Sequence, residues 1–216
     1  MTNLGEVLVE AVDVAVSSAG QILLAPISFT LGKGQVLAVV GENGAGKTTL
    51  LRALTGVIAV SDGTLLVGGE AVEDRRPTFR SKVAAQIGLP PFARNLTLLE
   101  HMALVGASWG SDVATASDKG MSTLSRFGIE KLESRFPHEL SSGQTQLFAL
   151  ALTWMRPFEV LVLDEPEQRL DVDRLSMLGD IINETVSEGA TVVMASHSES
   201  LVRHVATQRV SVGRAE

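Results

Sequence analysis

Cysteine and tyrosine are both absent from this chain of 216 residues, and aromatics as a whole make up 4% of it. Without cysteine there is neither a disulfide nor a thiolate metal site, which fits a cytosolic setting. Positive charge is scarce as well: 18 Lys and Arg face 25 Asp and Glu, a formal net charge of -7. Sequence-independent nucleic-acid binding depends on positive charge, so no nucleic-acid partner is expected. Long apolar runs are missing too. The tract around Leu147 to Met155 is too short to cross a bilayer. Met1-Thr2-Asn3-Leu4-Gly5-Glu6 has neither the basic start nor the apolar stretch of a secretory signal. The expected location is cytoplasmic, with any membrane association supplied by a partner.

What is present is a 45% hydrophobic chain, enough for one domain with a substantial core and room for an inserted subdomain. Its organising stretch is Gly41-Glu42-Asn43-Gly44-Ala45-Gly46-Lys47-Thr48-Thr49, which fits the P-loop pattern G-x-x-x-x-G-K-[ST]. The apolar run Val36 to Val40 precedes it and the helical Leu50-Leu51-Arg52-Ala53-Leu54 follows, the strand and helix context that the motif needs. Gly41, Gly44 and Gly46 free the backbone to bring amides against phosphate oxygens, with Asn43 and Ala45 between them. The start of the following helix adds unsatisfied donors and its dipole. Lys47 supplies a mobile charge for the outer phosphates, Thr48 a hydroxyl for magnesium, and Thr49 a donor to an inner phosphate.

Around this stretch, Glu6 to Val16 and Gln21 to Leu31 read as a hairpin across Ser17-Ser18-Ala19-Gly20. Gly56 reads as a helix stop, Ser61-Asp62-Gly63 as a turn and Thr64 to Val67 as a strand. Val83 to Leu89 is an apolar segment carrying Gln86, ended by Pro90-Pro91. Leu96 to Leu104 and Lys119 to Phe127 have helical periodicity, the first opened by a capping box from Thr97 to Glu100; Ser108 to Lys119 reads as an exposed connection. Leu140-Ser141-Ser142-Gly143-Gln144 opens an apolar helix through Leu152 that Pro157 closes. Val160 to Leu163 is a buried-strand run ending in Asp164-Glu165-Pro166, Leu175 to Val186 reads as a helix, and Thr191 to Ala195 as a strand with His197 just beyond it. Carboxylates at the ends of such strands stand where open α/β sheets bind ligands.

Together the P-loop, Gln86, the pentad at 140–144, the strand ending Asp164-Glu165, and His197 resemble, in order and over essentially the whole chain, the nucleotide-binding subunit of ABC transporters. The resemblance implies an α/β P-loop NTPase: a RecA-like core with an antiparallel β subdomain (1–86 and 145–216) and an inserted α-helical subdomain (87–144). It implies ATP and magnesium bound between two cassettes packed head to tail. Lys47 and its loop hold the phosphates of one subunit, while Ser141, Ser142, Gly143 and Gln144 of the other meet the terminal phosphate. Asp164, with Thr48 and Gln86, holds magnesium; Glu165 is the general base, and His197 contacts developing charge. Partners implied are transmembrane permease subunits and a second cassette, identical or not. The Leu89 to Leu104 segment, with Asn95-Leu96-Thr97 leading to Glu100-His101, resembles small exporter ATPases more than importers, and the short tail ending at Glu216 leads to the expectation of no regulatory domain. A soluble ATPase of the same superfamily and a nucleotide-gated binding module are the alternatives.

The chain departs from the pattern in places. The aromatic that stacks on adenine falls near Ser18 by position, and no tyrosine exists to serve. Base stacking on aromatics contributes roughly 1 to 3 kcal/mol, so its loss corresponds to about 5- to 150-fold in affinity and predicts poor discrimination between ATP and GTP. Ser142 stands where glycine is usual. In Glu167-Gln168-Arg169-Leu170-Asp171, Gln168 takes the place of a serine while Leu170 and Asp171 are kept. This loop is expected at the dimer interface, which makes Asp171 a candidate nucleotide contact.

Overall fold

The computed structural model describes residues 6–213; the readings of the amino-terminal stretch and of the tail at Glu216 concern residues outside that range. Strands β1 (Val7–Ser18) and β2 (Gln21–Gly32) form the expected antiparallel hairpin. Ala19 (φ 51°) and Gly20 (φ 79°) close it as a two-residue turn whose left-handed residues match the strand twist. Strict alternation along β1 fails at Val12-Asp13, where the register shifts between Ala11 and Val14. Asp13 there has φ 49° and donates its N–H to Ser28 Oγ at 2.8 Å. This bulge resets the pleat, so that Val9, Ala11, Val14 and Val16 are all buried. Strands β4 (Asp62–Val67) and β5 (Glu70–Ala71) complete a four-stranded sheet of order β2-β1-β4-β5.

The second sheet is parallel and five-stranded. It comprises β3 (Val36–Val40), β6 (Val83–Ile87), β7 (Val160–Asp164), β8 (Thr191–Ala195) and β9 (Gln208–Ser211), in the order β6-β7-β8-β3-β9. Successive residues of its inner strands feed opposite cores. Leu37, Val39, Val162 and Val193 face one cluster; Val36, Ala38, Leu163 and Met194 face the other. Both faces are buried, which is why these runs read as continuously apolar. Helix α1 (Lys47–Leu54) lies in the first cluster between the two sheets, with Leu50, Leu51, Ala53 and Leu54 buried there. Gly56, at φ 76°, follows its last turn as the predicted stop.

On the other face pack α3 (Leu98–Ser108), α4 (Val113–Arg126), α5 (Ser142–Trp154), α6 (Val172–Ser187) and α7 (Glu199–Val205). The expected capping box is formed: Thr97 Oγ1 accepts from Glu100 N, and Thr97 N donates to Glu100 Oε2 at 2.7 Å. The exposed connection expected over Ser108 to Lys119 is corrected, since α4 begins at Val113. Its Ala, Ser and Thr residues give no clear periodicity, yet Asp112 caps it by accepting from Thr115 N, and Ala116 and Gly120 pack against α3. A Cβ at Gly106 would come within 2.7 Å of the Ala116 Cβ, and one at Gly120 within 2.7 Å of the Met102 Cβ. Tertiary packing, not propensity, makes this helix. Helix α2 (Pro77–Lys82), α7 and β9 had no counterpart in the sequence reading.

Candidate functional site

At the carboxyl end of β3 the chain turns sharply into α1. Gly41 and Gly46 are glycines because their backbones leave no room: a Cβ would lie 2.4 Å from the Val212 carbonyl oxygen at the first and 2.5 Å from that of Leu23 at the second. Gly46 is also the N-cap of α1 at φ 104°. The Lys47 ammonium folds back into the loop it follows, donating to the carbonyls of Gly41 (2.8 Å) and Glu42 (2.9 Å), and the residue is only 6% exposed. A loop of amides around one lysine suits a polyanion.

Thr48 reaches across to the neighbouring strand end, its Oγ1 donating to Asp164 Oδ2 at 2.8 Å. The other oxygen, Asp164 Oδ1, is buried with no hydrogen-bond partner, as is Gln86 Oε1 on β6. The register pairs Ile87 with Asp164, so the two orphan acceptors sit at one edge of the sheet. Burial pushes the Asp164 carboxyl above its usual range; the Thr48 hydroxyl opposes this and the Glu165 carboxylate adds to it. Oxygen donors buried without partners beside a hydroxyl fit a hard cation such as magnesium, which takes one or two carboxylates and completes its shell with phosphate and water. Thr48, Gln86, Asp164, Glu165, Gln168 and Arg169 line a cavity of about 210 Å³.

Glu165 takes a left-handed backbone (φ 48°) and donates its N–H to Ala195 O at 2.8 Å, which ties the end of β7 to that of β8. Its carboxylate is bracketed. Oε1 faces His197 Nε2 at 3.1 Å, and Oε2 accepts from Gln168 Nε2. Glu167 anchors the segment bearing His197, its Oε1 accepting from Ser196 Oγ (2.7 Å), His197 N (2.7 Å) and Ser198 N (3.1 Å). Buried Gln146, on α5, donates to Pro166 O at 3.1 Å and lines the same cavity.

The fold thus brings Lys47, Thr48, Gln86, Asp164, Glu165 and His197 to one edge, as expected from sequence. A second cavity of about 250 Å³ holds Asn43, Gly44, Gly46, Lys47, Thr48 and Thr49. Ile22, 48% exposed, lines it together with Gln21 and Leu23, whereas Ser18 ends β1 and is not among its walls. Neither cavity includes Ser141, Ser142, Gly143, Gln144 or Asp171. Ser141 caps α5 in a reciprocal box with Gln144, and Asp171 caps α6 by accepting from Arg174 N at 2.9 Å. The first amides of α5 have no partner within their own helix; Ser142 there is exposed and Gly143 buried. A larger cavity, about 580 Å³, opens beside Lys33, Pro157, Glu159 and Gly189, at the opposite ends of the strands; it lacks the hydroxyl and carboxylate pairing found at the P-loop edge. From sequence Glu167 has no assigned role, and Gln146 and Gln168 stand only as departures from the pattern. The signal was Pro166, which sets a turn that returns its fourth residue to its first.

Comparison with known proteins agrees with this geometry. Residues 24–168 match the family model described as ABC transporter. The lantibiotic transport ATP-binding protein SrtF of Streptococcus pyogenes is 31% identical over 85% of this chain and 77% of its own. The cytochrome c biogenesis ATP-binding export protein CcmA of Xanthomonas axonopodis pv. citri is 30% identical over 95% and 94%. The glutamate/aspartate import ATP-binding protein GltL of Escherichia coli K12 is 29% identical over 86% and 79%. Among solved structures, the ATP binding subunit of an ABC transporter superposes with a TM-score of 0.85 at 25% identity, covering 95% of this chain and 86% of that one. By sequence match, fold and the arrangement of its P-loop edge, the chain belongs to the ABC transporter family of ATP-binding proteins.

Proposed function

We propose that the chain binds ATP with magnesium at the P-loop edge and hydrolyses it to power a membrane permease. The observation that carries this is the convergence of Thr48, Asp164 and Gln86 oxygens beside Lys47, with the Glu165–His197 pair next to them. In this reading the P-loop amides and Lys47 hold the phosphate chain, and Thr48, Asp164 and Gln86 hold magnesium, which supplies positive charge to the phosphate oxygens. Glu165 accepts the proton of the attacking water as its oxygen bonds to the terminal phosphorus and the bridging oxygen leaves with ADP. His197 orients Glu165 and stands where charge develops on the transferring group. The start of α5 in a second copy, where Ser142 is exposed, completes the site in this reading.

Export is the proposed direction, supported by the Leu89 to Leu104 segment and by the likeness to an export protein. The likeness to an importer motivates the opposite reading. The test of function is phosphate release from ATP by the wild-type chain, Glu165→Gln and Lys47→Ala, each with its co-purified membrane partner. Turnover lost in both variants, with nucleotide binding lost only in Lys47→Ala, supports the assignment; equal turnover in Glu165→Gln removes it. ATP-driven accumulation in inside-out vesicles supports export, and its absence there with accumulation in right-side-out vesicles supports import.

A further inference from the structure

The turn after β7 is built so that one of its side chains lands on the carboxylate at its start. Gln168 N donates to Glu165 O at 3.1 Å, closing a turn over Pro166, whose fixed φ suits its second position. Glu165 at φ 48° and Arg169 at φ 65° are both left-handed, a conformation that costs non-glycine residues energy and persists where surrounding structure holds it. The result is the bond from Gln168 Nε2 to Glu165 Oε2, opposite the His197 contact on Oε1. A carboxylate has about four acceptor positions, so two donors can fix its plane and still leave positions for a water. Glu165 also neighbours the Asp164 carboxylate, and like charges drive such a side chain apart unless something holds it.

We infer that Gln168 is a positioning residue for Glu165: with His197 it holds the carboxylate in one orientation at the cavity shared with Thr48 and Asp164. The inference rests on the reading of Glu165 as general base given above. Glu167 supports the arrangement from the same turn by fixing the backbone that carries His197. The loop therefore sets both donors at once, and the Gln168 carboxamide is long enough to cross the turn to Glu165 Oε2.

The test is steady-state ATP hydrolysis by the full chain with its membrane partner. Gln168→Met keeps the length and removes the N–H; Gln168→Glu places a second carboxylate against Glu165; Gln168→Lys returns a donor. The expected result is a fall in kcat of about tenfold to a hundredfold in the first two, the loss typical of a misplaced reacting group, with KM for ATP and the melting temperature unchanged and kcat largely recovered in Gln168→Lys. Unchanged or raised kcat in Gln168→Met overturns the inference, as does a fall accompanied by a matching loss of thermal stability or by a change in KM alone. A wild-type chain that hydrolyses ATP and a dead Glu165→Gln, alongside an unaffected Gln168→Met, sinks this inference only. Turnover unaffected by Glu165→Gln removes the general-base reading and this inference with it.

Discussion

Thr48→Val replaces a hydroxyl by a methyl of nearly the same shape and so isolates one interaction, the 2.8 Å bond to Asp164 Oδ2. Asp164 Oδ1 already lacks a partner, so the substitution leaves both oxygens of a half-buried carboxylate unsatisfied. Orphaning such an acceptor costs about 1–3 kcal/mol. At about 2–4 °C per kcal/mol for a chain of this length, the nucleotide-free protein should melt about 2–12 °C lower. The effect on ligand is separate. Magnesium-ATP at about a hundred times its Kd adds about 2.7 kcal/mol of stability to the wild type. In Thr48→Val the magnesium-dependent part of that increment should vanish while ATP alone still shifts the transition. Thermal melting of both proteins in apo, ATP and magnesium-ATP conditions measures all of this. A variant that melts with the wild type and keeps its magnesium increment refutes the account of the cation site.

Further expectations concern packing, acid and nucleotide choice. Gly106→Ala forces a methyl to within 2.7 Å of the Ala116 Cβ, so α3 and α4 must separate, at a cost of about 1–3 kcal/mol readable in urea unfolding; an unchanged midpoint contradicts the close crossing. Hydrogen bonds to helix-end backbone and hydroxyl groups hold the Glu100 and Asp112 carboxyls below the usual carboxylate range, and bonding to Phe136 N does the same for Glu139. Their stabilisation is complete above the unfolded pKa, about 4, and is lost as pH falls through the lower folded values. Glu100→Gln with Asp112→Asn should flatten that acid limb of the stability curve; an unaltered limb denies the caps a role. ATP and GTP should bind with affinities within about fivefold, since the P-loop cavity offers aliphatic Ile22 and no aromatic to stack on the base; a strong ATP preference in competition counts against this.

Much of the site could be read from the sequence because its residues answer backbone demands. Gly41 and Gly46 are where carbonyl oxygens of Val212 and Leu23 come close, and Val160 to Leu163 is buried on both faces. Such requirements leave a mark at fixed spacing. The start of α4 left none, because its periodicity is hidden among Ala, Ser and Thr and the helix is made by contact with α3. Strand β9 is likewise defined by pairing with β3, Ala38 opposite Arg209 and Val39 opposite Val210, and its own residues Gln208 to Ser211 carry little strand signal. The Gln168 contact depends on the left-handed backbone at Glu165, which no local pattern announces. Ser18, placed by counting back from the P-loop, illustrates the limit of that method: it ends β1, and the residues that line the P-loop cavity are Gln21 to Leu23, just across the turn.

In the proposed function the P-loop edge is completed by the α5 terminus of another cassette. Light scattering coupled to size exclusion on Glu165→Gln tests it most directly, since a chain that binds but does not hydrolyse ATP should hold the closed pair. A monomer of 22.9 kDa is expected without nucleotide and a species of twice that mass with magnesium-ATP. A protein that binds magnesium-ATP and stays monomeric, alone and with its membrane partner, contradicts it.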